Sequence, residues 1–352
     1  MTNIYHDIAT RTGGDIYIGV VGPVRTGKST FVSRFMEQLV LPNIQSEYLK
    51  TRATDELPQS AAGKTIMTTE PKFIPEEAVK ISVDDNATFN VRLIDCVGYI
   101  VPSALGYIEN EAPRMVMTPW FDEEVPFNMA AEIGTQKVIR EHSTIGLLVT
   151  TDGTVTNLPR EEYVEAEERV VRELKEIHKP FVVLLNCADP KAESAVLLQK
   201  ELLEKYGVPV MAVNCLQLQK EDIREILAQV LYEFPIKEIQ VDMPKWIVEL
   251  EKDHWLKKAV FDSIVATAAP LNRVREVSGC MEDLKRCEYI HTVQIKEIDL
   301  GKGNARVEIT VANSLFYKVL GEVTGLEIDG ESGLMPCMIE LAQIKKKYEK
   351  VK

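Results

Sequence analysis

Over roughly the first two-thirds of the chain, short solid apolar runs alternate with stretches in which apolar residues recur at helical spacing. The runs at 16–21, 72–75, 88–98, 145–152, 181–186 and 208–214 predict strands. The helical patterns fall just after residue 27, over about 160–178, near 193–206 and near 220–234. Strands that read as continuous Val, Ile and Leu are buried on both faces, as in a parallel sheet. Their alternation with helices predicts an α/β domain, a doubly wound and mostly parallel sheet that binds ligands at the carboxyl ends of its strands. In the 160–178 helix, Tyr163, Val164, Val170, Val171 and Leu174 lie near one face, and the acidic remainder reads as solvated surface. This first domain is expected to occupy 1–236.

Beyond it the pattern changes. A long helical stretch over about 244–280 carries Trp246, Leu250, Trp255, Leu256 and Val260, with a break near Pro270. Two alternating strands follow, at 289–300 and 305–312, joined by the hairpin signal Gly301-Lys-Gly-Asn304. A short helix at 313–325 leads to a Gly-rich acidic loop and then to an amphipathic basic helix from Met338 onward. These elements predict a smaller α+β domain over 237–352. It carries no motif of chemistry, so interaction or assembly is its expected role, and a further C-terminal domain is expected beyond it.

The chemistry sits in the first domain. The strand at 16–21 runs straight into Gly22-x4-Gly27-Lys28-Ser29-Thr30, and Phe31, Val32, Phe35, Met36 and Leu39 then mark an amphipathic helix. This is the strand–loop–helix context of a phosphate-binding loop. Glycines let backbone N–H groups turn inward around an anion, and the helix N-terminus adds partial positive charge. Lys28 is placed to reach the β- and γ-phosphates of a nucleoside triphosphate, and Ser29 to hold Mg²⁺. Gly22, Arg25, Thr26, Gly27 and Thr30 complete the expected contacts of the loop. Arg25 is a candidate for stabilising transition-state charge, although a solvent-facing loop arginine fits equally well.

About seventy residues further on, Leu93-Ile-Asp95-Cys-Val-Gly98 is an apolar strand ending in DxxG. Asp95 would orient Mg²⁺, and the Gly98 N–H would meet the γ-phosphate. Between the two motifs lie Thr65, Thr68 and Thr69. Thr68 and Thr69 immediately precede a strand and are the favoured γ-phosphate sensors, Thr69 as a further Mg²⁺ ligand. The strand from Phe181 ends in Asn186-Cys187-Ala188-Asp189, where guanine-binding proteins carry Asn-Lys-x-Asp. Asn186 and Asp189 remain candidate base contacts, yet the lysine is a cysteine, so these residues leave adenine against guanine open. Ras-like enzymes orient water with a glutamine after DxxG; here Tyr99 occupies that position, so an isolated monomer is expected to hydrolyse slowly.

Composition narrows the setting. The 352 residues carry a net charge of −13, which argues against general nucleic-acid binding. No apolar run reaches membrane-spanning length, and the N-terminus lacks the basic and apolar regions of a signal peptide. Six cysteines show no CxxC pair, and Cys96, Cys187 and Cys215 end apolar runs, which predicts reduced core thiols in a cytoplasmic protein. The segment 99–143 is long for a loop. Its Met115, Met117, Trp120, Phe121 and Phe127 either cap the sheet or form a nucleotide-dependent assembly patch.

The phrases GVVGPVRTGKSTFVSRFME, GKTIMTTEPKFIP, VRLIDCVGYIVPSALGY, LLVTTDGTVTNLPREEYVEAEERVV and PKWIVELEKDHWLK resemble the stage IV sporulation protein A family of endospore-forming Firmicutes. The resemblance implies an ATPase derived from the translation-factor branch of P-loop GTPases, with ATP and Mg²⁺ as its ligands. It implies Lys28 and Ser29 as the Walker A pair, Asp95 as the Walker B acid, and Thr68 and Thr69 as sensor threonines. It further implies self-assembly in the mother-cell cytoplasm into the base layer of the spore coat, peripheral on the outer forespore membrane. The implied partners are other copies, a small amphipathic membrane peptide and coat proteins, engaged through a C-terminal region. Two alternatives differ in class: a ribosome-assembly type GTPase switch, and a nucleotide-dependent structural protein with vestigial hydrolysis.

Overall fold

In the computed structural model, residues 3–58, 70–83, 87–104, 106–109 and 112–351 are described. Contacts divide the chain into Met1–Phe234 with Leu300–Lys302, and Pro235–Asp299 with Gly303–Lys352.

The first unit is built on six strands: β1 (Asp15–Val21), β2 (Lys72–Val83), β3 (Ala87–Asp95), β4 (Ile145–Thr151), β5 (Phe181–Asn186) and β6 (Val210–Val213). Their order across the sheet is β6-β5-β4-β1-β3-β2, parallel throughout except for β2, which runs antiparallel to β3 at one edge. The predicted α/β fold, with its mostly parallel sheet, is therefore present. All seven residues of β4 and all six of β5 are buried, as expected for central strands covered on both faces. Each large aliphatic side chain so buried contributes about 1.5–3 kcal/mol. Helices α1 (Ile4–Arg11), α2 (Lys28–Phe35), α3 (Glu47–Asp55), α4 (Phe127–Lys137), α5 (Val164–Glu176), α6 (Glu193–Tyr206) and α7 (Lys220–Tyr232) complete the unit. Phe31, Val32 and Phe35 of α2 are buried, as are Met36 and Leu39 in the π-helical turn that follows it.

Three expectations need correction. Strand β2 extends eight residues past Pro75, because Val79, Ile81 and Val83 alternate inward while Lys80 and Ser82 face out. That period-2 pattern suits an edge strand, and the Pro75-Glu-Glu punctuation concealed it. The 99–143 segment is not one long loop, since α4 and a π-helical turn over Val138–His142 take its second half. There Phe127, Ala130, Ala131, Val138 and Ile139 join the core, whereas Met115 and Met117 are exposed. The acidic remainder of α5 is not all solvated either. Glu167 is fully buried and Glu173 is 8% exposed. Glu167 is satisfied by Tyr206 Oη at 2.5 Å, by Arg160 Nη2 at 2.7 Å and by the Thr150 hydroxyl, as a buried carboxylate must be.

The second unit is the expected smaller α+β domain. Strands β7 (Glu238–Asp242), β8 (Ile290–Asp299) and β9 (Asn304–Val311) form a sheet in the order β7-β9-β8. The β8–β9 hairpin matches the turn signal. The parallel strand β7 was hidden by its short, charged sequence. The predicted long helix is divided into α8 (Lys245–Glu249), α9 (Trp255–Ala268) and α10 (Val277–Leu284). Leu256, Val260, Leu284, Val293, Val307 and Ile309 make its core. After α11 (Asn313–Thr324), the last helix, α12 (Gly330–Val351), begins eight residues before Met338. The glycines there suggested a loop, yet helix continues through Pro336.

Candidate functional site

The phosphate loop is shaped by close approaches that only glycine allows. At Gly22, φ is 138°, and a Cβ would lie 2.3 Å from the Val149 carbonyl oxygen. At Gly27, the N-cap of α2, φ is 97°, and a Cβ would lie 2.3 Å from Asn186 Nδ2. The loop is pinned to the DxxG strand end by Val24 N–H, which donates to the Tyr99 carbonyl at 2.9 Å. Thr26 is buried, and its hydroxyl donates to the Pro23 carbonyl at 3.1 Å. Lys28, 5% exposed, donates to the same carbonyl at 2.5 Å. Burial pushes its pKa down, opposed by the neighbouring Cys96 and Asp95. An ammonium stripped of water and holding one carbonyl is electrostatically ready for a polyanion. Thr30 is half-buried in the first turn of α2.

Asp95 ends β3 and faces the start of α2. Its Oδ2 accepts from the Ser29 hydroxyl at 2.6 Å, and burial pushes the carboxyl's pKa up despite that bond. Among the described residues, its Oδ1 is buried with no hydrogen-bond partner. An orphaned, buried carboxylate oxygen beside a hydroxyl and a helix N-terminus fits a hard divalent cation shared with phosphate oxygens. Among the described residues, no cluster of three or more His, Cys, Asp or Glu could hold a metal by protein groups alone. Mg²⁺ commonly binds in this way, with one or two protein ligands, phosphates and water. Gly98 has φ 92°, and a Cβ there would lie 2.2 Å from the Gly22 carbonyl oxygen and 2.7 Å from Lys28 Nζ. The DxxG backbone thus lies directly against the loop.

Both ends of the Asn186 amide are engaged within the protein. Its Nδ2 donates to the Thr26 carbonyl and its Oδ1 accepts from Cys215 N–H, both at 3.0 Å, so it ties the phosphate loop to the loop after β6. Asp189 is exposed, and its Oδ1 accepts from Lys191 N–H at 2.9 Å, which leaves Oδ2 for a ligand. Cys187 is buried, and burial first of all pushes its thiol up to about 11. Cys96 is likewise held at about 11, chiefly by burial. Thr65, Thr68 and Thr69 lie outside the described residues. Arg25 is half-buried in the loop with φ 63°.

Sequence reasoning missed Glu173, Arg169 and Thr154. Glu173 accepts from the Tyr99 phenol, while Thr154 Oγ1 accepts from Ala188 N–H at 2.9 Å and so steadies the Asn186–Asp189 loop. Glu167 follows Tyr163 by four residues and precedes Val170 by three, on the apolar face of α5. That position was the available signal for its burial.

A strand that enters a glycine-bounded loop, a buried lysine opening the next helix and an acid on the adjacent strand define a P-loop nucleoside triphosphatase domain. Two family profiles match the chain: Stage IV sporulation protein A, ATPase domain, over residues 1–235, and the middle domain of the same protein over 236–352. The chain is 47% identical over 349 residues to stage IV sporulation protein A of Clostridioides difficile (strain 630), covering 99% of this chain and 71% of that relative. The proteins of that name from Bacillus subtilis (strain 168) and Bacillus anthracis match with the same identity and coverage. The chain belongs to the stage IV sporulation protein A family. Among the described residues, no helix is long and apolar enough to cross a membrane.

Proposed function

We propose that this chain hydrolyses ATP slowly and with Mg²⁺, and that hydrolysis makes it competent to self-assemble as the base layer of the spore coat on the forespore surface. The observation that carries the catalytic part is the Ser29–Asp95 pair at 2.6 Å, with Asp95 Oδ1 buried beside the buried Lys28 and without a hydrogen bond among the described residues. The sporulation role is supported by the names of the family and its members. Lys28 faces the β- and γ-phosphates, and the inward N–H groups of the loop hold them. Ser29 and Asp95 would hold Mg²⁺, which would neutralise phosphate charge when bound. Gly98 N–H meets the γ-phosphate, and Thr68 and Thr69 sense it. Asn186 holds the loop in register, and Asp189 is the remaining carboxylate at the base. The protein acts in the mother-cell cytoplasm, with copies of itself, a small amphipathic membrane peptide and coat proteins as partners.

The test follows phosphate release and sedimentable polymer together, with Mg-ATP, Mg-ADP and a non-hydrolysable analogue. Polymer that appears only with hydrolysable ATP supports the reading. Equal polymer with the analogue would remove hydrolysis as the trigger.

A further inference from the structure

Arg25 occupies the middle of the phosphate loop, two residues before Gly27, in the left-handed region with φ 63°. L-residues adopt that region at a cost, and glycine is its usual occupant. The side chain is half-buried, yet it makes no hydrogen bond or ion pair with any described residue. Its neighbours are all engaged: Thr26 and Lys28 hold the Pro23 carbonyl, and Asn186 holds the Thr26 carbonyl. The guanidinium's charge acts on the buried Tyr163 phenol, as does that of Glu162. Glu162 accepts from the N–H and hydroxyl of Ser103, and no ion pair joins it to Arg25 among the described residues. An arginine at φ 63°, without a hydrogen bond or ion pair among the described residues, thus stands inside an anion-binding loop.

The reaction makes a specific demand there. A water oxygen bonds to the γ-phosphorus, and the bond from that phosphorus to the β–γ bridging oxygen breaks. The electron pair stays on the bridging oxygen, which becomes a β-phosphate oxygen of ADP, and the water proton leaves with phosphate. Tyr99 cannot take the water-orienting role, since its side chain is 2% exposed and tied to Glu173. Stabilisation of the developing charge then falls to fixed cations. We infer that Arg25 is a catalytic arginine supplied by the chain itself, its guanidinium donating to the bridging oxygen as that bond breaks. The inference rests on the ATPase reading above.

The test is Arg25→Gly in the complete chain, since glycine suits φ 63° and leaves the loop free to fold. Hydrolysis is expected to fall about 100- to 1,000-fold, while the dissociation constants of ATP and ADP stay within about threefold. Formation of the ADP–aluminium fluoride complex, read by fluorescence of a labelled ADP, is expected to be lost. Free guanidinium at millimolar concentration is expected to restore part of the turnover in Arg25→Gly but none in Lys28→Ala. Turnover and aluminium fluoride trapping that match the unaltered protein would overturn the role of Arg25 alone. Loss of ATP affinity in step with turnover would make Arg25 a binding residue and also overturn it. An unaltered protein that releases no phosphate from ATP would overturn the ATPase reading and this inference together.

Discussion

The phenol of Tyr99 donates to Glu173 Oε2 at 2.6 Å, inside the core. The Arg169 guanidinium lies 4.3 Å over the Tyr99 ring and pairs with Glu132 at 2.8 Å and Glu173 at 3.4 Å. On its other side, the Tyr99 carbonyl accepts from Val24 N–H in the phosphate loop. The residue after DxxG is therefore fixed to the nucleotide site by its backbone and to α4 and α5 by its side chain. Burial pushes the phenol's pKa up, and the Glu173 carboxylate adds to the shift.

Tyr99→Phe removes a hydrogen bond to a buried carboxylate and is expected to destabilise the first unit by about 1.5–3 kcal/mol. Glu173→Gln is expected to be destabilising as well. Their double variant should lose less than the sum of the two, by about 0.5–3 kcal/mol of coupling. Urea unfolding of the four proteins measures this, and strict additivity would mean that the two side chains do not act together.

Asn186→Ala strips a partner from the Thr26 carbonyl and from Cys215 N–H, each a group whose unmet bond costs about 1–3 kcal/mol. Both weaker ATP binding and lower stability are expected, because the residue orders the loop without touching the phosphates. Unchanged ATP affinity, measured by calorimetry, would show that the loop holds its shape without this tie.

Much of this site was legible from residue types alone. Gly22, Gly27, Lys28, Ser29 and Asp95 have few alternative uses at that spacing after an apolar strand. The sheet was legible because solid runs such as Ile145-Gly-Leu-Leu-Val declare burial on both faces. The tie that Asn186 makes between the phosphate loop and the loop after β6 was not legible, because a sequence gives no direction for its amide. The face position of Glu167 hinted at its burial, but the donors that satisfy the two acids, Arg160 and Tyr206 for Glu167 and Tyr99 for Glu173, are tertiary and no local pattern names them.

Lys179 gives a pH signature. Burial lowers its pKa from 10.5 to about 8, while its ammonium donates to the Ser143 carbonyl at 2.5 Å. Below pH 8 the folded and unfolded chains both carry the proton, and the penalty for burying the charge is fully present. Between 8 and 10.5 the unfolded chain binds more protons than the folded one, so this group's contribution to stability rises with pH. The stability gap between Lys179→Met and the unaltered protein should shift in favour of the unaltered protein across that window. A gap that stays constant in urea titrations from pH 7 to 11 would show that Lys179 is not desolvated.

Replacing Thr68 and Thr69 together by alanine is expected to slow hydrolysis while leaving much of the ATP affinity, since Lys28 and the loop amides remain. Such a variant should bind ATP and assemble poorly. Full assembly with phosphate release abolished would make hydrolysis vestigial.

The central claim is that the Lys28–Ser29–Asp95 site hydrolyses ATP. Its most direct measurement is phosphate release by the unaltered protein and by Lys28→Ala, with Mg-ATP and Mg-GTP in parallel. The account predicts release from ATP in preference to GTP, removed by the lysine substitution. Release that persists unchanged in Lys28→Ala, or that favours GTP, would contradict it.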